Sequence, residues 1–435
     1  MPSLRLGTAV SDITPQLGVS IPGYFSDRIA ETTADPIQAK AIVFEAGDQT
    51  AAFVVCDVIC LWEEHTRRAK ARAAELTGIP AESMMISATH THYGPATITV
   101  FNTEVDEGYM DWMTDKIADA VRLAQLNLQP VVVGHNSGSE PGECHNRRWH
   151  MRDGTVRMNP GYLNPEAVRP AGPTDPEVGL LAAMTPDGAP AAAIMNYSLH
   201  YVGGPYSNSI SADYFGHACR ALPRMWGRDF LAVLANGCCG DINNCDFTRA
   251  APEYPDPFHQ ARRVGNVIAA EAYRAWNQIR GWSGDVTLGV ASAYPSFRRR
   301  ELSDEQRARM EELLAGPAQP GNAEWMYALE RSRVDAKPLE WPVQVQALRI
   351  GDLAIVGLPG EVFVEIGLAI KRQSPFARTM VVELANDWVG YIPTDKALQE
   401  GSYETELGTN SMAAPGTEGQ WTETAMGLLR ELADR

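Results

Sequence analysis

Residues 86–96 read ISATHTHYGPA, from Ile86 to Ala96. An apolar run, ESMMISATH, ends in two histidines two residues apart, and the Gly94-Pro95 pair then breaks it. In an extended chain, residues i and i+2 point to the same side. A strand persisting this far would set the imidazoles of His90 and His92 on one face. Such a pair is either part of a metal site or two structural histidines, and the chain has only nine in 435 residues.

Around this stretch, strands alternate with helices. QAKAIVFEAG and TAAFVVCDVICLW read as two strands joined at Gly47-Asp48. EEHTRRAKARAAELTG follows as a helix closed by Gly78 and Pro80. YMDWMTDKIADAVRLAQLN has apolar residues at helical spacing. The Pro-, Gly- and Arg-rich stretch 134–176 reads as one long irregular region forming an active-site wall. Strands resume at PAAAIMNYSLH and DFLAVLANG, and DPFHQARRVGNVIAAEAYRAWNQI is a helix. LSDEQRARMEELLAG opens on a capping box, Ser303 with Gln306, and reads as a charged helical insertion on the surface near residues 302–335. LAIVGLPGE and TMVVELAND are strands, VFVEIGLAIKRQ a helix, and the C-terminal stretch an amphipathic helix.

Several apolar strands end in residues capable of chemistry: Asp57, His90, His200, Asp241, Glu361 and Tyr391. Ligands in α/β sheets bind beyond the carboxyl ends of strands, where the loops converge. A catalytic zinc site needs about three protein ligands and an open position. His200 and Glu361 are the natural partners for the histidine pair, with Glu361 following a Pro-Gly turn and opening a helix. ANGCCGDINNCD offers a rival, a nucleophile or soft ligand at Cys238, Cys239 or Cys245. NRRW supplies Arg147 and Arg148, which could clamp a carboxylate or face an oxyanion.

Composition narrows the class. A net charge of −17 leaves no basic excess for nucleic acid and argues against stable docking on anionic membranes. No signal-like or membrane-length apolar run occurs, so the expected setting is the cytoplasm. Seven cysteines without regular spacing read as free thiols. The sequence leaves the oligomeric state open.

The set SDITP, THTHYGP, NYSLH…SADYFG, ANGCCGDINN, LPGEVF and VGYIPT resembles the neutral ceramidase superfamily, in order, from about residue 5 to 405. These are zinc-dependent amidases that split an N-acyl chain from a sphingoid base. The resemblance implies an α+β fold of mixed β-sheets flanked by helices, a single large catalytic domain over residues 1–435. It implies a Zn2+ cofactor held by His90, His200, Glu361 and Tyr391, with His92 in the substrate site and Arg147 as an active-site arginine. Tyr403 joins Arg147 and Arg148 as a substrate-facing candidate, and Asp57 and Asp241 are candidates to support a ligand or its loop. Two departures matter. Asn243 stands where the family has a serine, leaving an amide that can donate to an oxyanion. The family's additional C-terminal β-sandwich has no counterpart after the last helix. The expected activity is therefore metal-assisted cleavage of an amide in a small, polar N-acyl substrate rather than ceramide. The alternatives are an esterase or lactonase on the same scaffold, a non-catalytic binding protein, and a cysteine hydrolase.

Overall fold

The computed structural model describes residues 3–203 and 208–435. Among these, three larger sheets share one plan. Each contains an antiparallel hairpin whose second strand continues through a helix into a parallel neighbour. In the first, strand Gln49–Cys56 passes through helix Glu63–Thr77 to Met84–Ala88. In the second, Pro190–Tyr197 passes through Asp213–Trp226 to Leu231–Asn236. In the third, Leu353–Gly357 passes through Val364–Gln373 to Arg378–Val382. The architecture is α+β with mixed sheets, as expected.

Alternation along the strands explains the layering. Phe53, Val55, Ile194, Val233, Leu353 and Ile355 point into a core common to all three sheets. Their neighbours Val54, Met195, Leu234 and Val356 point outward, against helices. Strands buried on both faces read as continuous apolar runs. Helix Glu63–Thr77 shows how the ends are secured: Gly78, at φ 75°, closes it by donating to the Ala74 carbonyl. Its first amide, Glu63 N, donates to Asp387 Oδ1 at 2.8 Å, a cap from the far end of the chain.

In register, the three parallel pairs end together at Cys56 with Ala88, Tyr197 with Asn236, and Gly357 with Val382. Backbone bonds lace these ends to one another: Ala88 N to Leu384 O, Asn386 N to Ile86 O, and Glu383 N to Asn236 O. The crevice beyond the strand ends is therefore one place, fed by three units.

Three expectations need correcting. The stretch 134–176 is not one irregular loop. Strand Val132–Ser139 runs through its start and pairs with Glu177–Met184, and His145–Asn146, Arg148–Met151, Val156–Met158 and Ala167–Pro170 form short ladders. Glu361 does not open a helix: it lies in the two-residue strand Glu361–Val362, paired with Tyr391–Ile392, and the helix begins at Val364. The segment near 302–335 is superficial only in part. Helix Asp304–Ala315 carries the Ser303–Gln306 capping box and buries only Met310. Helix Ala323–Asp335 buries Met326, Ala328, Glu330 and Val334, and Glu330 accepts the amide of Phe101 at 2.7 Å.

Candidate metal centre

The strand ending at Ala88 does not continue to the histidines. His90 takes a left-handed backbone at φ 72°, uncommon for a residue with a Cβ and held here by its amide bonding Val58 O. The turn swings His90 inward, and His92 meets it from the following loop. Their ring centroids lie 4.7 Å apart, and His200, three residues past strand Pro190–Tyr197, lies 4.3 Å from His90 on its other side.

The nitrogen atoms decide what this cluster can do. Each Nδ1 faces a backbone carbonyl: His90 with Ile59 O at 2.8 Å, His92 with Gly23 O at 3.3 Å, His200 with Cys239 O at 3.4 Å. These bonds assign the proton to Nδ1 and leave each Nε2 as a lone pair. Yet Nε2 of His90 is 3.0 Å from that of His200 and 3.1 Å from that of His92. Three neutral rings would set their lone pairs against one another, so the cluster calls for a cation, either a proton on His90, which Glu361 favours, or a metal ion. The three buried rings form a group able to hold a metal ion. Gly23 belongs to this construction: a Cβ there would lie 2.1 Å from His92 Nδ1.

Glu361 supplies the second sign of a cation. Its Oε1 accepts the indole N–H of Trp388 at 3.0 Å. Its Oε2 is buried, 3.4 Å from His90 Nε2, and has no hydrogen-bond partner. A buried carboxylate oxygen left bare is costly unless a cation faces it. Imidazole nitrogens with a carboxylate oxygen are a donor set that zinc accepts, so the residues fit the expected ion. Burial works against charge on His90, but Glu361 outweighs it and raises the pKa, whereas burial and His90 push His92 and His200 well below the usual range. Burial likewise holds the Tyr391 phenol well above its ordinary value, with Glu361 adding to it and Arg147 opposing.

Arg147 reaches this site from the side. Its Nη2 donates to Tyr391 Oη at 3.0 Å and Gly240 O at 2.8 Å, and its Nε to Glu404 Oε1 at 2.8 Å. Arg148, expected at the substrate, is committed elsewhere. Its guanidinium donates to Gly401 O at 2.9 Å and Glu404 Oε2 at 3.1 Å and lies over Phe363, and it is 2% exposed. Arg147 falls between the short strands His145–Asn146 and Arg148–Met151, and Glu404 takes one oxygen to each arginine. Tyr403 is half-buried, its ring 5.9 Å from Tyr391 and 6.3 Å from Phe25. On the other flank, His92 stacks on Tyr201 at 3.8 Å.

The remaining candidates divide. Asn243 donates to Asn159 Oδ1 at 2.7 Å and accepts the Cys245 amide at 2.9 Å. Asp241 caps helix Val364–Gln373 by accepting Val364 N at 2.9 Å and holds Asn146 Nδ2 at 2.6 Å, so it supports loops around the site. Asp57 supports no histidine. Its Oδ2 pairs with buried Lys40 and accepts Gln38 N at 3.0 Å, because both lie on the adjoining strand. Cys238 and Cys239 are buried, and burial with Glu383 nearby raises both thiols well above their ordinary range, the opposite of an activated nucleophile. Two residues were missed. Trp388 orients Glu361, and Glu383 lies beneath the cluster; Glu383 fits the strand-end pattern in the sequence, whereas no motif marks an indole donor.

No family model matches the chain. The neutral ceramidase of Pseudomonas aeruginosa is 24% identical over 504 residues, covering 99% of this chain and 72% of the relative. The neutral ceramidase of Mycobacterium tuberculosis is 23% identical over 477 residues, covering 92% and 73%. Among solved structures, the P. aeruginosa neutral ceramidase superposes with a TM-score of 0.77 at 20% identity, over 99% of this chain and 75% of that one. A ceramidase complexed with C2 superposes at 0.78 and 19% identity, over 100% and 76%. Similarity to neutral ceramidases thus runs along nearly the whole length of the chain, which shares their fold.

Proposed function

We propose that the chain is a zinc-dependent hydrolase that cleaves the amide bond of a small, polar N-acyl substrate. The observation that carries this reading is the meeting of the Nε2 atoms of His90 and His200, 3.0 Å apart, with the buried Oε2 of Glu361, which has no hydrogen-bond partner. His90, His200, Glu361 and Tyr391 would hold the ion. Zinc bound there would polarise a carbonyl and supply hydroxide from water near neutral pH.

The chain's own groups have separable tasks. His92, on the Tyr201 side of the cluster, has its proton on Nδ1 against Gly23 O, so its Nε2 can take a proton from the attacking water and return it to the leaving amine. Arg147 keeps the Tyr391 oxygen aimed at the site and places positive charge beside the developing oxyanion. Asn243 uses one amide N–H on Asn159, and the other is the donor for the substrate carbonyl oxygen. Tyr403 walls the substrate body. Esters and lactones would meet the same groups, and a substrate panel ranks them against amides.

No helix among the described residues is long and apolar enough to cross a membrane. All seven cysteines are free, which supports a reducing, cytoplasmic setting.

The test is elemental analysis of the purified protein and of His90→Ala, with hydrolysis of N-acyl amides, their ester and lactone counterparts, and ceramide. The expected result is about one zinc per chain, lost in the variant, and amide turnover that a chelator abolishes. A wild type that takes up no zinc would sink the proposal. Ceramide as the preferred substrate would overturn its substrate class.

A further inference from the structure

One buried carboxylate outside the proposed ligand set connects, directly or through one residue, to groups that hold its three ring-and-carboxylate members. Glu383 follows strand Arg378–Val382 and is fully buried. Its Oε2 accepts the amide of Val362 at 2.8 Å, next to Glu361, and the amide of Cys239 at 3.1 Å. Cys239 is the residue whose carbonyl faces Nδ1 of His200. Oε1 accepts the Cys239 thiol at 2.9 Å and Asn236 Nδ2 at 3.3 Å. The same Asn236 amide donates to the carbonyl of Thr89, the residue before His90, at 3.2 Å.

We infer that Glu383 is the positioning residue of the metal centre, the acceptor that fixes the Glu361 strand against the Cys239 turn facing His200, with the His90 loop tied in through Asn236. The inference rests on the metal reading above. These ligands come from three different sheet units, and no local turn relates one to another. A metal site demands placement within about 0.5 Å. A single buried carboxylate with four donors, from Val362 beside Glu361 and from Asn236 and Cys239 in the turn that faces His200, with the His90 loop one amide away, supplies that common reference. Outer partners of this kind typically govern affinity as strongly as their position allows.

The variant Glu383→Gln keeps the shape and turns one acceptor into a donor, which must face either the two amides or the thiol and Asn236. Cys239→Ser retains a donor to Oε1, and Cys239→Ala removes it. The measurements are zinc affinity by competition with a chelator, the absorption spectrum of the cobalt-substituted protein, and thermal unfolding of the metal-free protein. Glu383→Gln should bind zinc about 10- to 100-fold more weakly and shift the cobalt bands. Cys239→Ser should stay near wild type, with Cys239→Ala between them. A purely structural Glu383 would lower the metal-free unfolding temperature and leave affinity and spectrum unmoved, and that result overturns the inference. Should Glu383→Gln not fold, the serine and alanine pair decides: equal zinc affinity in both overturns it. A wild type without zinc overturns the metal reading and this inference with it. Zinc bound equally well by wild type and variant overturns this inference alone.

Discussion

Replacing Asp57 by asparagine should destabilise the fold severely and leave the metal centre intact. Asp57 and Lys40 are almost wholly enclosed, their side chains 1% and 3% exposed, and they pair directly across neighbouring strands. In Asp57→Asn the volume and the acceptor for Gln38 N remain, but the counter-charge is gone. The new amide also places a donor where Oδ1 now has no partner. Removing one member of a buried ion pair leaves an uncompensated charge and costs about 3–5 kcal/mol, against a total stability on the order of 5–15 kcal/mol. Lys40→Met with Asp57→Asn removes the stranded ammonium, so the double variant should regain about 2 kcal/mol or more of the loss. Urea unfolding of the metal-free proteins reads both numbers, with unchanged m-values confirming the same transition. A loss under about 1 kcal/mol in the single variant, or a double variant no better than the single, would show that Lys40 does not depend on this carboxylate. Zinc stoichiometry of folded Asp57→Asn should equal wild type, because Asp57 touches Lys40 and Gln38 and no histidine.

Trp388→Phe retains the ring and deletes the N–H on Glu361 Oε1. Zinc affinity should fall about 10-fold, and an unchanged chelator titration would refute the role. Iodoacetamide at neutral pH should leave Cys238 and Cys239 of the native protein unmodified, since burial keeps both thiols protonated and enclosed. Mass spectrometry showing either alkylated, with activity lost, would revive a thiol mechanism. Lys371 bridges Asp175 and Glu177 at 2.7 and 3.0 Å. Burial opposes ionisation of Glu177 but Lys371 outweighs it, holding the carboxyl below its ordinary 4.5; burial opposes Lys371 too, but both carboxylates raise its amine above 10.5. The Glu177 contribution is present above its unfolded value and lost as pH falls through the folded one. The Lys371 contribution is present below 10.5 and lost as pH rises through its raised value. Lys371→Met should therefore flatten both limbs of the stability–pH curve, and curves that superimpose would refute the assignment.

The strand–helix–strand units were legible because their strands are buried on both faces and their helices carry plain stop signals such as Gly78. The site was legible in membership more than in mechanism of assembly. Extended geometry was the reason for expecting His90 and His92 on one side. They do converge, but through a left-handed turn at His90 and two carbonyl contacts, from Ile59 to His90 and from Gly23 to His92, neither of which is local in sequence. Glu361 resembled a helix-opening carboxylate because Val362 and Phe363 continue an apolar helical pattern, and only its pairing with Tyr391 makes it a strand. Ladders of two to four residues in the stretch 134–176 are too short for any periodicity to register. Arg148 could not be told from Arg147 because their common partner, Glu404, lies more than 250 residues on.

The three-unit plan also fixes when the centre can exist during synthesis. His90 leaves the ribosome early, His200 near the midpoint, and Glu361 roughly 270 residues after His90, which at about 5–20 residues per second is a delay on the order of 15–55 s. Through that interval the early histidines lack both the carboxylate and the third sheet, whose residues complete the common core. Completion of the candidate metal site is thus a late event, tied to closure of the whole molecule. A chain truncated anywhere before Glu361 should carry its histidines without a place to put them.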